Sequence, residues 1–587
     1  MSRGCEGVRI GRRFLLLSAG AFLFGGLLAL GMRWKLAWPD DAVPWLGSRH
    51  DWPGGVMPLD SYAKIFTLHG TIMVWLVAVP AIAWGLGLAN VPRMCRTTLA
   101  LPGLARVGWW LTLLGGSILL VGWAASGWTG YAPLSSGVEV AARWRPFDAD
   151  AASWLRLEQG SGFDRVQSRW TLLALYTNWI VVALAMWSLG RSFLSTGSGL
   201  RAVATQLPLL LVSLAVSYGL LQLVQIVAFD GQSAWFCAIA LWATGGGFVA
   251  IALLATVALR RRGTLPLSVW GWAAAAAVGL LAGPVIVLAM AMNLLDAHGL
   301  TGFFSPQRDG QPLLHQHLFW FYGHPLVYLL ILPAYGLAGD ILARHGRGHV
   351  GYKTAAGCIV AVSVLGFGVW AHHMYQSGLD PSGALIFSAS TMLISVPSAI
   401  LVVTWLATIA KGRPRSTAAT WAIYAFVSLF VIGGLSGLVL AAPAINVQLH
   451  DTYFVVAHLH YTLFGGSLFA CFAGLYWLWP RLTGGRRMSD TLGKIHIATT
   501  YVAFNGTFGL MHVLGIFGMP RRYAEPTKID LFADLAWAQQ AMTVFAVILG
   551  AAQLIFVASA FGSFVFNAKT RRGKEPQRAV EKPEIRF

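Results

Sequence analysis

The chain has 587 residues, of which 56% are hydrophobic and only 11% charged, with a formal net charge of +19. A soluble domain carries about 25% charged residues, so these proportions exclude a soluble enzyme and fit a polytopic membrane protein. The positive charge is spread over short loops rather than set beside aromatics in a polar domain, which excludes nucleic acid as a partner, and the five cysteines (Cys5, Cys95, Cys237, Cys358, Cys471) form no C-x-x-C, hence neither a disulfide framework nor a thiolate metal site.

Apolar stretches of about 20 residues predict fourteen membrane spans, taken here in chain order. The first, 14–32, follows Arg9, Arg12 and Arg13 like a signal peptide, but has no clear A-x-A site and is read as a retained helix. The next two, 65–89 and 105–126, lead to a long loop, 127–169. Spans 170–190, 207–229, 235–259 and 269–293 follow, then 317–338, 355–375, 384–410, 420–442, 452–478, 497–519 and 536–563. Alternate loops are basic: Arg93 and Arg96, Arg191 and Arg201, Arg260–Arg262, Arg344 with Arg347 and Lys353, Lys411 with Arg413 and Arg415, and Arg481 with Arg486 and Arg487. The positive-inside rule puts these loops, the N-terminus and the basic tail 569–587 in the cytoplasm.

None of the fourteen windows contains Asp or Glu, and the ionisable side chains well inside them are mainly histidines. Intramembrane ionisable residues are functional candidates by default. With this topology His69, His324, His372, His373, His458 and His460 share one depth, in the outer part of the bilayer. Scattered histidines have no reason to share a level, whereas neutral imidazole is the commonest metal ligand, so a buried metal cluster is expected. His512 is expected to be structural, hydrogen-bonded between helices. Residues two apart on a helix differ by about 200°, so His458 and His460 serve two different centres on opposite sides of one helix. "YGHPLVY" puts His324 and Tyr328 at i and i+4, on one face, and "WAHHMY" offers His372 and His373 as neighbours at a helix end.

Four motifs in order carry a family resemblance: "QHLFWFYGHPLVYLLILP" (316–333), "WAHHMYQSGLDP" (370–381), "LHDTYFVVAHLHYTLFG" (449–465) and "GMPRRYAEP" (518–526). With "TLHG" (67–70) and "GWTGYAPLS" (127–135) they resemble subunit I of the haem–copper oxygen reductases, that is, cytochrome c oxidase subunit I. The resemblance implies an all-α polytopic membrane helix bundle: a twelve-helix core plus an extra pair at about 170–229, forming one transmembrane domain over 1–568. It implies two haems, low-spin and high-spin, of type a or b, and one copper ion. His69 and His460 would be the axial ligands of the low-spin haem and His458 the proximal ligand of the high-spin haem. His324, His372 and His373 would hold the copper, with Trp320 beside it. Tyr328 would be linked covalently to His324 and would give an electron and a proton as the O–O bond breaks. Arg521 and Arg522 would bind haem propionates, and His450 and Asp451 would lie near them, where Mg²⁺ is shared with subunit II. The residue types suit this chemistry: an iron with two histidines is full and transfers electrons, and one with a single histidine has room for O₂.

The implied function is catalysis in a terminal respiratory oxidase that reduces O₂ to water, coupled to proton uptake, with proton pumping a further possibility the family carries. No Cys/His/Met cluster for a dinuclear copper and no C-x-x-C-H is present. Electrons are therefore expected from a copper-bearing subunit II fed by cytochrome c or a small copper protein, a quinol being the alternative donor, in a prokaryotic cytoplasmic membrane with further small membrane subunits and lipid around the chain. A nitric oxide reductase of the same superfamily and a non-redox transporter with a histidine relay are the rival readings.

The chain departs from the family where protons travel. Leu326 stands where the common form has Glu, Thr98 where it has Asp and Leu401 where it has Lys. What remains is hydroxyl: Tyr335, two helical turns inward of Tyr328, with Ser398, Ser395 and Thr391 on the neighbouring segment. This resembles the family's second branch, which uses one Tyr/Ser/Thr route, although a threonine is usual there in place of Leu401. A single hydroxyl-and-water path to Tyr328 is the expectation.

Overall fold

Among the described residues the chain forms twelve main helices stacked side by side, joined by shorter helical turns such as Pro443–Leu449, with no strand beyond an isolated bridge between Thr452 and Pro520. The structure is a computed structural model and describes residues 6–44, 52–121, 127, 129–131, 231–260, 263–297, 300–349 and 351–570. The expected extra pair at 170–229, the loop 136–169 and the tail from 571 onward lie outside the described residues.

The helices are α1 (Glu6–Ala37), α2 (Leu59–Met94), α3 (Pro102–Val121), α4 (Gly231–Ala258), α5 (Leu267–Ala297) and α6 (Pro312–His345). They continue with α7 (Tyr352–Leu365), α8 (Pro381–Gly412), α9 (Ala418–Ala441) and α10 (Tyr453–Thr483). α11 runs through Asp490–Phe504, Asn505–Gly509 and Leu510–Ile516, and α12 is Ala536–Thr570. Ten of the described helices are long and apolar enough to cross a membrane, and each predicted span that falls on described residues overlaps one of the twelve. The chain is an all-α polytopic membrane bundle.

Local chemistry sets the helix ends. The Asp380 carboxylate accepts from the backbone N–H groups of Ser382 and Gly383, with Pro381 at the first helical position of α8. Thr417, Thr452 and Ser489 cap α9, α10 and α11 in the same way. The acid-free windows were narrower than the helices. α6 runs on to His345 and so includes Asp340, whose carboxylate accepts from the N–H groups of Leu267 (3.0 Å) and Ser268 (2.9 Å) and so caps α5 from a neighbouring helix. Asp296, in the last turn of α5, accepts from Phe303 N, Phe304 N and Thr301 Oγ1. Both acids satisfy helix-end and loop donors rather than sitting at mid-span.

Without a hydrophobic drive between helices in lipid, close approach depends on small residues. Gly108 of α3 meets Gly245 of α4 so closely that a Cβ on Gly245 would lie 2.8 Å from the Gly108 carbonyl oxygen. The interior is filled by large apolar and aromatic side chains, among them Trp235, Trp272 and Trp405, while Leu385, Ile386, Leu393 and Val403 of α8 are exposed, as expected for a lipid-facing helix. Three of the described helices loosen to i→i+5 bonding: α2 over Met73–Gly85, which contains Pro80, α10 over His460–Leu468 and α11 over Asn505–Gly509. Such wide turns are frequent at functional sites. α7 is shorter than its predicted span: it stops at Leu365, and the tight turns Gly366–Gly368 and Trp370–Met374 carry the chain on. His372 and His373 therefore lie on a 3₁₀ turn rather than at the end of a continuous helix.

Candidate metal centre

α10 is regular from Tyr453 to Leu459 and loosens from His460 onward, so the change falls between the two histidines of the H-x-H pair. They face different neighbours. His458 points to α9, its Nδ1 lying 3.0 Å from the Gly433 carbonyl and 3.0 Å from Ser436 Oγ. Gly437 makes this possible, since a Cβ there would come within 3.0 Å of His458 Cε1. His460 points to α11, stacked on Phe508 with ring centroids 4.0 Å apart, and its Nδ1 donates to the Val456 carbonyl at 2.8 Å. It lies near His69 of α2. His69 Nδ1 donates to the Gly25 carbonyl of α1 at 2.9 Å. A carbonyl accepts only, so in both His69 and His460 the proton is on Nδ1 and Nε2 keeps a lone pair for a metal.

Near His458 three imidazoles converge. His324 comes from α6, His372 and His373 from the turn after α7, and one ring nitrogen of each lies within 4.8 Å of the others. His324 Nδ1 and His372 Nε2 are each 3.2 Å from His373 Nε2. Three nitrogens crowded this closely, with one proton at most per neutral ring, form a donor set for one cation. His372 is aimed by α8: its Nδ1 lies 2.9 Å from Thr391 Oγ1, and the Thr391 hydroxyl donates its own proton to the Phe387 carbonyl at 2.5 Å. Thr391 must therefore accept, which fixes the proton on His372 Nδ1 and frees Nε2. His373 is backed by Trp320, stacked at 3.8 Å and 9°.

His324 Nε2 is buried and has no hydrogen-bond partner among the described residues. Its ring centroid is 4.9 Å from that of Tyr328, one turn along α6. An orphaned ring nitrogen costs free energy unless something satisfies it, and a tyrosine ring held this close fits the expected link. Gly366 clears the space, because a Cβ there would lie 2.6 Å from Tyr328 Cδ2.

The rim above the cluster is held by an ion pair. Arg521 Nε and Nη2 meet Asp451 Oδ1 at 2.6 and 2.5 Å, and the Arg521 N–H donates to the Asp451 carbonyl at 2.9 Å. Asp451 (φ 56°) and Arg522 (φ 72°) both take the left-handed conformation, which turns the two loops toward each other. Partial burial alone would raise the Asp451 carboxyl, but Arg521 and Arg522 outweigh it and hold it below its usual value. Burial pushes the His450 imidazole down, with Asp451 opposing and the two arginines adding to it. His450 Nε2 is 3.6 Å from Asp451 Oδ2.

The proposed hydroxyl path is only partly assembled. Tyr335 is fully buried between Trp405 and Phe430, and its hydroxyl meets Ser398. Ser398 Oγ donates to Ile394 O at 3.1 Å. Thr391 is spent on His372, and Ser395 bonds back to the Met392 carbonyl at an exposed position. His512 differs from expectation: its Nε2 is buried with no hydrogen-bond partner among the described residues, and its ring packs against Phe454 and Tyr461. Two residues escaped notice in the sequence. Ser436 sits in an unremarkable apolar helix. Tyr131, inside the quoted "GWTGYAPLS", accepts from Trp320 Nε1 at 2.6 Å, and burial pushes its phenol up to about 12.

Comparisons with known proteins agree with this picture. The family model described as "Cytochrome C and Quinol oxidase polypeptide I" matches residues 9–157 and 151–548. The cytochrome c oxidase subunit 1 of Synechocystis sp. is 32% identical over 97% of this chain and 86% of its own length. That of Bacillus subtilis is 32% identical over 86% of this chain and 67% of its own. Among solved structures, a heme-copper terminal oxidase dimer determined by cryo-EM superposes with a TM-score of 0.69 at 17% identity, covering 96% of this chain and 84% of that one, a likeness of fold.

Proposed function

The chain belongs to the subunit I family of cytochrome c and quinol oxidases, oxidoreductases of the haem–copper type, and from that premise we propose that it is the catalytic subunit of a terminal oxidase that reduces O₂ to two water molecules with four electrons and four protons. One observation carries this reading: the His324–His372–His373 cluster lies near His458, with Tyr328 beside His324.

In this reading His69 and His460 hold the low-spin haem, His458 the high-spin haem and the triad the copper. When bound, the two irons and the copper supply the one-electron chemistry and the site for O₂. The protein's residues do the rest. Nδ1–H groups bonded to Gly25, Val456 and Gly433 fix the three haem-facing imidazoles in the tautomer that leaves Nε2 available. Thr391 does the same for His372. Trp320 backs the His373 ring, and Gly366 leaves room for the ring of Tyr328. Tyr328 would give a proton from Oη and an electron from its ring to O₂ as the O–O bond breaks; the proton would be replaced from the cytoplasm through Tyr335 and Ser398, and the electron from the donor that serves subunit II. Arg521 and Arg522 neutralise haem propionates by charge-assisted hydrogen bonds. Among the described residues His450 and Asp451 have no third ligand beside them, so Mg²⁺ would take one from subunit II.

Subunit II with a dinuclear copper site is the partner, fed by cytochrome c or a small copper protein. The location is a bacterial cytoplasmic membrane with both termini inside. Metal analysis of the purified complex, with a reduced-minus-oxidised spectrum and extracted haems, tests the proposal. Two haem irons and three coppers are expected per complex, one copper from this chain and two from subunit II. Non-haem iron in place of copper would indicate nitric oxide reduction, and no haem spectrum would indicate a transporter.

A further inference from the structure

The three haem-facing imidazoles are not anchored alike. Among the described residues His69 Nδ1 has one acceptor, the Gly25 carbonyl, and His460 Nδ1 has one, the Val456 carbonyl. His458 Nδ1 has two, Gly433 O and Ser436 Oγ, both at 3.0 Å. The Ser436 hydroxyl donates its proton to Gly433 O at 2.8 Å, within the same turn of α9. Its lone pairs therefore face His458, and serine and carbonyl together form a three-centre acceptor for one N–H. Ser436 is buried, and Gly437 lies against the ring, where a Cβ would come within 3.0 Å of His458 Cε1.

We propose that Ser436 is a positioning residue for the iron held by His458, acting as a second acceptor that gives this imidazole more anionic character than His69 or His460. The inference rests on the function proposed above. An imidazole whose N–H is drawn away donates more strongly through its other nitrogen. Stronger proximal donation lowers the potential of the iron and pushes electron density toward O–O cleavage. That push is useful only at the iron that meets O₂. An electron-transfer iron with two histidines has no use for it, and the single acceptors of His69 and His460 match that difference. The serine thus distinguishes the two haem sites by wiring outside the ligands themselves.

The test uses the intact complex carrying Ser436→Ala or Ser436→Thr. Resonance Raman spectra of the reduced enzyme give the iron–histidine stretching band of the five-coordinate haem. Redox titration gives the midpoint potential of each haem. Ser436→Ala is expected to lower the stretching frequency and raise the potential of the high-spin haem, leave the low-spin haem unchanged, and slow turnover on the order of tenfold. Ser436→Thr, which keeps the hydroxyl, is expected to restore all three. A band and potential unmoved by Ser436→Ala, or equal shifts at both haems, would overturn the inference. Should the alanine variant not assemble, Ser436→Cys, a weaker acceptor, is expected to shift the band part-way, and no shift there overturns it equally. Absence of an iron–histidine band in the unmodified complex would overturn the proposed function, and this inference with it.

Discussion

The His372 imidazole is aimed by Thr391, whose hydroxyl accepts from Nδ1 at 2.9 Å while donating to the Phe387 carbonyl. A residue expected from the sequence to relay protons is instead in direct contact with a candidate copper ligand. Thr391→Val keeps the shape and removes the acceptor. Copper affinity is expected to fall by about 10–100-fold, read as a lower copper-to-haem ratio in the purified complex. Thr391→Ser should restore the ratio. A valine variant with full copper would mean that the hydrogen bond does not matter for loading.

Tyr335 is packed by Trp405 (5.4 Å) and Phe430 (5.3 Å), contacts that phenylalanine would preserve. Tyr335→Phe removes only the hydroxyl that meets Ser398. Slower proton uptake and slower turnover are expected, with unaltered haem spectra. Unchanged turnover together with unchanged proton uptake would sink the single-path reading.

Tyr328 and Gly366 make a matched pair. Tyr328→Phe should leave both haems and the copper in place while O₂ consumption falls by about 100-fold or more. Gly366→Ala acts by sterics: its Cβ would lie 2.6 Å from a ring carbon of Tyr328, and the ring is held on a long helix. Overpacking of this kind costs roughly 1–3 kcal/mol. A lowered melting temperature with reduced activity is expected, and an alanine variant of normal stability would show that Tyr328 is free to move.

The Asp451–Arg521 clamp should be sensitive to acid. Asp451 has its folded-state carboxyl held below the usual value, chiefly because the arginines outweigh the effect of burial. A depressed carboxyl contributes stability that is fully present above the unfolded value, about 4, and that is lost as pH falls through the lower folded value. Thermal stability at neutral pH is therefore expected to include this contribution, and to lose it below about pH 4. Asp451→Asn should lower stability at pH 7 and flatten that acid limb. An identical pH profile in the variant would show that the pair contributes nothing.

Much of the molecule was legible in the chain itself. Apolar run lengths marked every helix that falls on described residues, because spanning lipid demands about 20 apolar residues whatever the fold. The spacing of His458 and His460 fixed that they face opposite sides, since helical rotation per residue is a constant. The pairing of His324 with Tyr328 followed from the same geometry. What remained hidden depends on atoms that carry no residue identity. The acceptors at Gly25, Val456 and Gly433 are backbone carbonyls, which every residue has; Val456 lies one turn back in the helix of His460 itself, while only the packing of α1 against α2 and of α9 against α10 selects Gly25 and Gly433. Asp340 lay just beyond a predicted window, and its work, capping a different helix, is visible only when α5 and α6 are placed side by side. The roles of Thr391 and Ser436 were decided in the same way: a hydroxyl in an apolar helix can bond to its own turn or to a neighbour's imidazole, and tertiary contact alone settles which.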